Sequence, residues 1–425
     1  MNPEMKALPV TAGLDNADAL RALEHMTVEL HRLIRDGQGD ADKTDELREQ
    51  MVDIWDTLRP ESRALLDNLS GDLYMLAGEE AFEEGGQRGQ SLAHIKEAWA
   101  NRDWSVLLSL LRHEDVRAAA PEDVRAYFRG RCWSSLGYFE AALSFYDHAA
   151  RLAPQNDNYA YLALEALVRC GRMDEALERA NAILRDNSAS SRRLFKAADV
   201  LFHAARRFDE GMASIVYKHV LIVLERAFAR EKSLPAERRL PSLIVGGHIV
   251  QGFCHEHMGE TARAKQAYTE ALALDPTSDA ALTARGLLAY ETDHPSALRD
   301  FERAATTGTP LVWPYLYLAY DALQSGEPAR GLAMAREAKK RTQAPALLAN
   351  LVEWEAIAAA LQGGASAETI QLLQEAQAFN PFSDRISANL QAMIASEPAG
   401  AMRVANDTSP RDARERFSEE LRLAA

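Results

Sequence analysis

Apolar positions along the chain recur three and four residues apart, the spacing that gathers them on one face of an α-helix. The first such run carries Leu20, Leu23, Met26, Leu30 and Leu33, with Asp15 or Asn16 placed to cap it and Gly37 and Gly39 to end it. A second predicted helix spans about Asp42 to Leu58 and puts Leu47, Met51, Ile54, Trp55 and Leu58 on one face. Pro60 opens a third, with Leu65, Leu66, Leu69, Leu73 and Leu76. Residues 1–12 hold Pro3 and Pro9 and read as a flexible N-terminus. Residues 13–87 then form an N-terminal helical domain, closed by the loop Glu83-Glu84-Gly85-Gly86.

From about Arg88 the helical pattern acquires a period. Gly130, Gly137-Tyr138, Glu140-Ala141-Ala142-Leu143, Tyr146, Ala149 and Pro154 are echoed by Gly171-Arg172, Glu175-Ala176-Leu177, Ala180 and Ile183. Gly137 to Gly171 and Ala142 to Ala176 are each a step of 34 residues, the period of a helix–turn–helix repeat. Small residues recur where two helices cross closely; aromatic and aliphatic residues recur where they fill the space between. The pattern returns at Gly252, Gly259, Ala264, Tyr268, Ala271 and Pro276, and again at Gly286, Ala297, Phe301 and Ala304 with one residue deleted in the turn. Ala319, Gly326, Gly331, Ala335 and Ala338 form the next unit, and Ile357, Gly364, Leu373, Ala376 and Pro381 the last.

This series resembles the tetratricopeptide repeat (TPR) proteins. The resemblance spans 88–394, with a degenerate first unit (Ala93–Ala100 and Leu107–Leu111) and an irregular break near 212–242 that contains Pro235 and Pro241. The second helix of the fourth unit is predicted to overrun to about Arg230. Membership implies an all-α fold, a right-handed superhelical solenoid of helix–turn–helix repeats joined to the N-terminal helical domain. Ser383–Ile394 reads as the capping helix that a solenoid needs to cover its last apolar face. Residues 395–425 read as a linker and a short C-terminal helix, Arg411–Leu423, carrying Phe417, Leu421 and Leu423. That helix has three readings: packed on the last repeat, loose, or lying in the groove of the array and masking it.

Composition narrows the function classes. At 425 residues the chain is long for one core, which suits a repeat array. With 47% hydrophobic and 26% charged residues it has the make-up of an ordered soluble protein. A net charge of −15 repels phosphate backbones, so nucleic acid is not an expected partner. In the N-terminal domain acids outnumber bases by more than two to one, against a DNA-binding three-helix bundle. Cys132, Cys170 and Cys254 form no C-x-x-C pair and suit a reducing compartment. Met1–Leu20 lacks the apolar segment of a secretory signal, and no apolar run is long enough for membrane insertion, so a cytoplasmic location is expected.

The resemblance also implies where a partner would sit, because arrays of this family expose a concave groove lined by the first helix of each unit. Its expected lining begins with Tyr127, Arg131 and Ser134, then Asn158, Tyr161, Glu165 and Arg169, then Arg193, Lys196 and His203. Beyond the break it continues with Phe253, Glu256 and His257, then Leu287 and Tyr290, then Trp313, Leu316 and Tyr320, then Trp354. The first half is basic and phenolic, the second aromatic. Arginine offers forked donors for carboxylates and aromatic side chains supply much interface energy, so the lining suits a protein or peptide ligand with an acidic and an apolar part. Some family members grip a chaperone's terminal carboxylate with Asn and Lys at fixed groove positions; here Arg131 and Glu165 stand at matching places instead of Asn. The expected function is a non-catalytic scaffold or adaptor, set against a structural subunit of a larger assembly and, as a third reading, an enzyme built on His203, Glu256, His257 and Glu291.

No cofactor and no metal is expected. Of His248, Cys254, His255 and His257 at most two converge, whereas a structural zinc site takes four ligands. The loop Asp36, Gln38, Asp40, Asp42 lacks the sixth-position Gly and twelfth-position Glu of a calcium loop. Common phosphate-loop, nucleophile-elbow and zinc-protease motifs are absent.

Overall fold

The structure, a computed structural model, describes residues 16–79, 92–395, 397–398, 400 and 402–424, and every regular element among them is helical. The expected flexible N-terminus, the Asp15 cap and the Glu83–Gly86 loop lie outside the described residues. Contacts group the chain into two compact units, Met1–Ala204 and Ala205–Ala425.

The first unit opens with α1 (Asn16–Arg35), α2 (Asp42–Trp55) and α3 (Pro60–Leu73), followed by a 3-10 turn, Tyr74–Ala77. Short helices α4 (Leu92–Ala100), α5 (Trp104–Leu110) and α6 (Glu114–Ala119) lead to α7 (Glu122–Ser135) and α8 (Phe139–Leu152). Then come α9 (Asp157–Arg169), α10 (Met173–Arg185) and α11 (Ser191–Ala205), which ends at the unit boundary. The degenerate first unit is thus three short helices rather than two. Its α4–α5 turn nonetheless closes like the regular ones: Arg102 and Asp103 N–H donate to Trp99 and Ala98 C=O, as Gly137 and Tyr138 N–H do to Ser134 and Trp133 C=O. Gly137 adopts φ 90°, and Arg102 must take φ 56° without the freedom of glycine.

Two buried carboxylates bond the N-terminal helices to the repeats. Glu24 on α1, only 5% exposed, accepts the Ala141 N–H in the first turn of α8 at 3.1 Å. Asp72 at the end of α3 accepts from Trp133 Nε1 (3.0 Å) and Arg112 Nε (3.0 Å), with Arg129 Nε at 3.4 Å. A charge this deep in the fold persists only when several donors surround it.

The second unit begins with a 24-residue helix, α12 (Glu210–Ser233), which carries the predicted overrun three residues past Arg230. A 3-10 turn, Ala236–Arg238, fills the break, and buried Glu231 accepts the Leu240 N–H at 3.2 Å across it. Helix pairs follow: α13 (Pro241–His257) with α14 (Thr261–Leu274), α15 (Asp279–Ala289) with α16 (His294–Thr306), α17 (Val312–Gln324) with α18 (Pro328–Lys339), and α19 (Pro345–Gly363) with α20 (Ala367–Phe379). Helix α21 (Asp384–Ile394) covers the last pair, and α22 (Pro410–Ala424) ends the chain.

Close approach within a pair explains the small residues. A Cβ at Gly252 would stand 2.2 Å from the Tyr268 ring, and one at Gly286 2.5 Å from Phe301. In the first unit a Cβ at Gly130 would stand 2.6 Å from Tyr146. Each second-helix ring therefore lies flat on a bare stretch of first-helix backbone. The large residue fits because the small one has no side chain there.

Candidate protein-interaction surfaces

In the first unit the side chains expected on the inner face come from α7, α9 and α11, and they meet one another. Tyr127 packs on Tyr159 (ring centroids 5.6 Å), and the Arg131 guanidinium lies 5.8 Å from the Trp99 ring. Arg169 lies over Phe139 at 5.1 Å and 3.8 Å from Glu165. Lys196 is buried, its Nζ 4.9 Å from the Tyr161 ring centroid and 3.0 Å from Asp199, which also faces His203 at 3.3 Å. Burial works against the Lys196 charge, but Asp199, Tyr161 and Glu165 outweigh it and raise its pKa. Arg193 turns aside to Asp157 (3.7 Å) and Asp186 (3.8 Å), and Arg192 bonds Asn158 in its place. Polar atoms buried on these three helices without a hydrogen-bond partner in the protein include Arg131 Nε, Glu165 Oε2, Arg169 Nε and His203 Nδ1. Such atoms each cost roughly 1–3 kcal/mol unless another molecule meets them.

In the second unit the corresponding face carries the chain's own tail. Met402 is buried among Ala356, Ile357, Ala360, Leu373, Leu390 and Met393 at the last repeat. From there the chain runs extended across the first helices. Asn389 brackets Arg403, donating to its C=O (2.8 Å) and accepting its N–H (2.9 Å). Gln324 donates to Val404 C=O (2.8 Å), Trp354 Nε1 to Ala405 C=O (3.1 Å) and Tyr317 Oη to Thr408 C=O (3.2 Å). Arg385, held by the buried Glu353, reaches Asp407 at 2.7 Å.

Ser409 then caps α22 by accepting the Asp412 N–H, and Pro410 stands at its first position. Ala413 and Phe417 are fully buried, Phe417 meeting Phe253 edge-on at 5.9 Å. Arg414 pairs with Glu256 (2.9 Å) and donates to Leu287 C=O (3.1 Å). Arg206 donates to Glu415 C=O at 3.2 Å. Burial pushes the Glu256 carboxyl up to about 7, while the Tyr268 hydroxyl bonded to it and Arg414 pull the other way.

Of the three readings of the tail, groove occupation is therefore the one the structure adopts, with Met402 also seated on the last repeat. The expected aromatic lining is engaged inside the unit. Trp354 reads the tail backbone and stacks with Tyr320 (5.6 Å), and Tyr290 packs edge-on against Tyr317 (4.6 Å). Trp313 is wholly buried, and His257 stacks on Tyr217 at 5.0 Å. Sequence reasoning missed Tyr317, Gln324, Glu353, Arg385 and Asn389. A signal was there: Asn350, Glu353 and Glu355 are polar residues inside the largely apolar run of α19, and Asn350 and Glu353 are fully buried.

The histidine cluster disperses. His248 stacks on Phe228 (4.4 Å), His255 pairs with Glu260 (2.7 Å), and Cys254 is buried with its thiol pKa driven up by burial. Among the described residues no three His, Cys, Asp or Glu side chains converge as a metal site would require, and no helix is long and apolar enough to cross a membrane.

Comparison with known proteins agrees with the internal pattern at one unit. Residues 248–278 match the tetratricopeptide repeat family model. No curated protein matches the chain. Among solved structures it is similar to a thermophilic TPR protein of Thermus thermophilus, with 19% identity over 43% of this chain and 89% of that one and a TM-score of 0.37. A tetratricopeptide repeat protein from Parabacteroides merdae is 14% identical over 64% of this chain and 99% of that one, with a TM-score of 0.36. The TPR2AB domain of yeast Sti1, in a complex with pHSP90, is 17% identical over 60% of this chain and 98% of that one, with a TM-score of 0.22. Residues 248–278 are thus matched outright as a tetratricopeptide repeat, and the glycine-on-ring pairing of that repeat recurs at Gly130 and Gly286.

Proposed function

We propose that the chain is a non-catalytic scaffold that holds a partner protein segment against the first helices of its repeats, in a cytoplasmic setting. The docking face that the chain's own tail leaves open is that of the first unit, and its ligand is an extended, acidic peptide. Tyr127 and Tyr161 supply flat apolar contact, Arg131, Arg169 and Lys196 the positive charge, and Arg193 marks one end of the face. The observation that carries this reading is the group of buried, unpartnered polar atoms on Arg131, Glu165, Arg169 and His203. Two of the four are guanidinium N–H donors, which a carboxylate-bearing peptide would meet. Helices that are already stacked lose little ordering entropy when a peptide docks.

The test is a paired capture from source-cell lysate, read by mass spectrometry, with wild type and an Arg131→Glu, Arg169→Glu double variant whose fold is checked by circular dichroism. A protein held by wild type and lost by the variant supports the reading, and its binding segment should be acidic. Equal capture by both would refute it and favour a structural subunit whose contacts lie on other faces.

A further inference from the structure

We infer that the inner face of the second unit is an exchangeable docking site. Its resident occupant is the chain's own tail, and the outside ligand it accepts is a partner segment of the same make: an extended stretch leading into a helix that presents an alanine and a phenylalanine four residues apart, with an arginine directly after the alanine. This rests on the reading of first-helix faces as surfaces that hold protein segments, and adds the ligand chemistry and its competitor.

The contacts divide into two kinds. Along 403–408, beside the Arg385–Asp407 ion pair and the packing of Val404, the unit reads main chain: Asn389, Gln324, Trp354 and Tyr317 together engage the carbonyls of Arg403, Val404, Ala405 and Thr408 and the N–H of Arg403. Every residue except proline offers those groups, so this half of the site places few demands on sequence. Along α22 the unit reads side chains: Ala413, Phe417 against Phe253, Arg414 against Glu256 and the Leu287 carbonyl, and Ser418, whose hydroxyl accepts from Arg206. A surface tuned only to its own tail would not need main-chain readers from three different helices. That division, general at one end and specific at the other, is how grooves accept a class of peptides.

Tethering sets the competition. The tail joins the last repeat through the short stretch after Ile394, which gives it an effective concentration on the order of millimolar at the site. An outside segment with equal contacts is therefore held off until it is abundant or the tail is weakened. Apparent affinity falls by the fraction of molecules with an open face.

The experiment uses full-length protein and a fluorescein-labelled peptide of residues 400–425, read by anisotropy. Wild type is compared with an Arg414→Glu, Phe417→Asp variant, which releases the tail and leaves every residue of the face intact. Peptide should bind the variant at least tenfold more tightly than wild type. A Phe417→Ala peptide should lose at least tenfold. A surrogate partner that keeps only Ala413, Arg414 and Phe417 of the tail sequence should bind within about threefold of the parent. Hydrogen exchange on wild type is the second measurement: excess unlabelled peptide should lower protection of 402–424.

No binding to a variant that is folded by circular dichroism would overturn the proposal, as would a surrogate that binds no better than the Phe417→Ala peptide. A wild-type dimer that becomes monomeric in the tail variant would assign the site to a second copy of the chain and overturn the outside partner. The Arg131→Glu, Arg169→Glu variant should take up no more of this peptide than wild type does, so failure here and failure of the first-unit reading are separable.

Discussion

Glu24 should make the first unit more stable in mild acid than in mild base. Its carboxylate lies 5% exposed between α1 and α8, and burial, partly offset by the Ala141 N–H it accepts, raises its pKa from 4.5 to about 7. Because the folded-state value lies above the unfolded one, the contribution is complete below pH 4.5 and is lost as pH rises through 7. At 1.36 kcal/mol per pKa unit, the whole span is about 3 kcal/mol, of which about 2.5 falls between pH 5 and pH 8. Glu24→Gln keeps an oxygen for the Ala141 N–H and has no charge to bury. The variant should match wild type near pH 5 and exceed it by about 2 kcal/mol at pH 8. Native-state hydrogen exchange on peptides from α1 and α8, corrected for intrinsic rates, reads this locally. Neighbouring pairs such as His25 with Glu140 titrate in both proteins and largely cancel in the difference. A difference between the two proteins that stays constant from pH 5 to pH 8, or that favours wild type at pH 8, would refute the account of Glu24 as a buried, reluctantly ionised group.

Gly252→Ala should destabilise the second unit by about 2 kcal/mol, because the new Cβ would fall 2.2 Å from a buried Tyr268 ring whose hydroxyl is tied to Glu256. Gly246→Ala on the same helix meets nothing within 4 Å and should instead raise stability by up to about 1 kcal/mol; thermal melts of the pair decide. Asp72→Ala should cost about 3–5 kcal/mol in urea denaturation, since it removes the buried acceptor shared by Arg129, Arg112 and the Trp133 indole, and a loss under 1 kcal/mol would show that the network does not hold the N-terminal helices.

Much of the fold was legible because repeats state their packing rule several times. Gly252 facing Tyr268 and Gly130 facing Tyr146 are one contact written twice, and the periodicity exposes it without any long-range inference. What the sequence hid depends on unique, distant contacts. Asp72 looked like one more acid in an acidic block, yet it bonds residues about forty to sixty positions away. The tail was hidden for a similar reason. Its extended part is held largely through backbone carbonyls, which carry no sequence signature, and only the helical spacing of Phe417, Leu421 and Leu423 hinted at an apolar face. Apolar residues such as Trp313 were read as lining because helical spacing marks a face, but it does not separate the rim of a face from its floor.

The pairing of Gly286 with Phe301 has a consequence for how such a chain can change over time. Gly130 and Gly252 each lie sixteen residues before their ring, whereas Gly286 lies fifteen before Phe301, and the ring still rests on the glycine. Helix α15 stops three residues past Gly286 where α13 runs five past Gly252, its turn is one residue longer, and the docking of the two helices survives, so length variation is absorbed where the first helix ends and the connection begins, and is not passed into the interface. Insertions and deletions can therefore accumulate at these turns as nearly silent genetic events. The same single-residue change inside either helix would rotate the glycine about a hundred degrees off its ring and strike at the repeat itself.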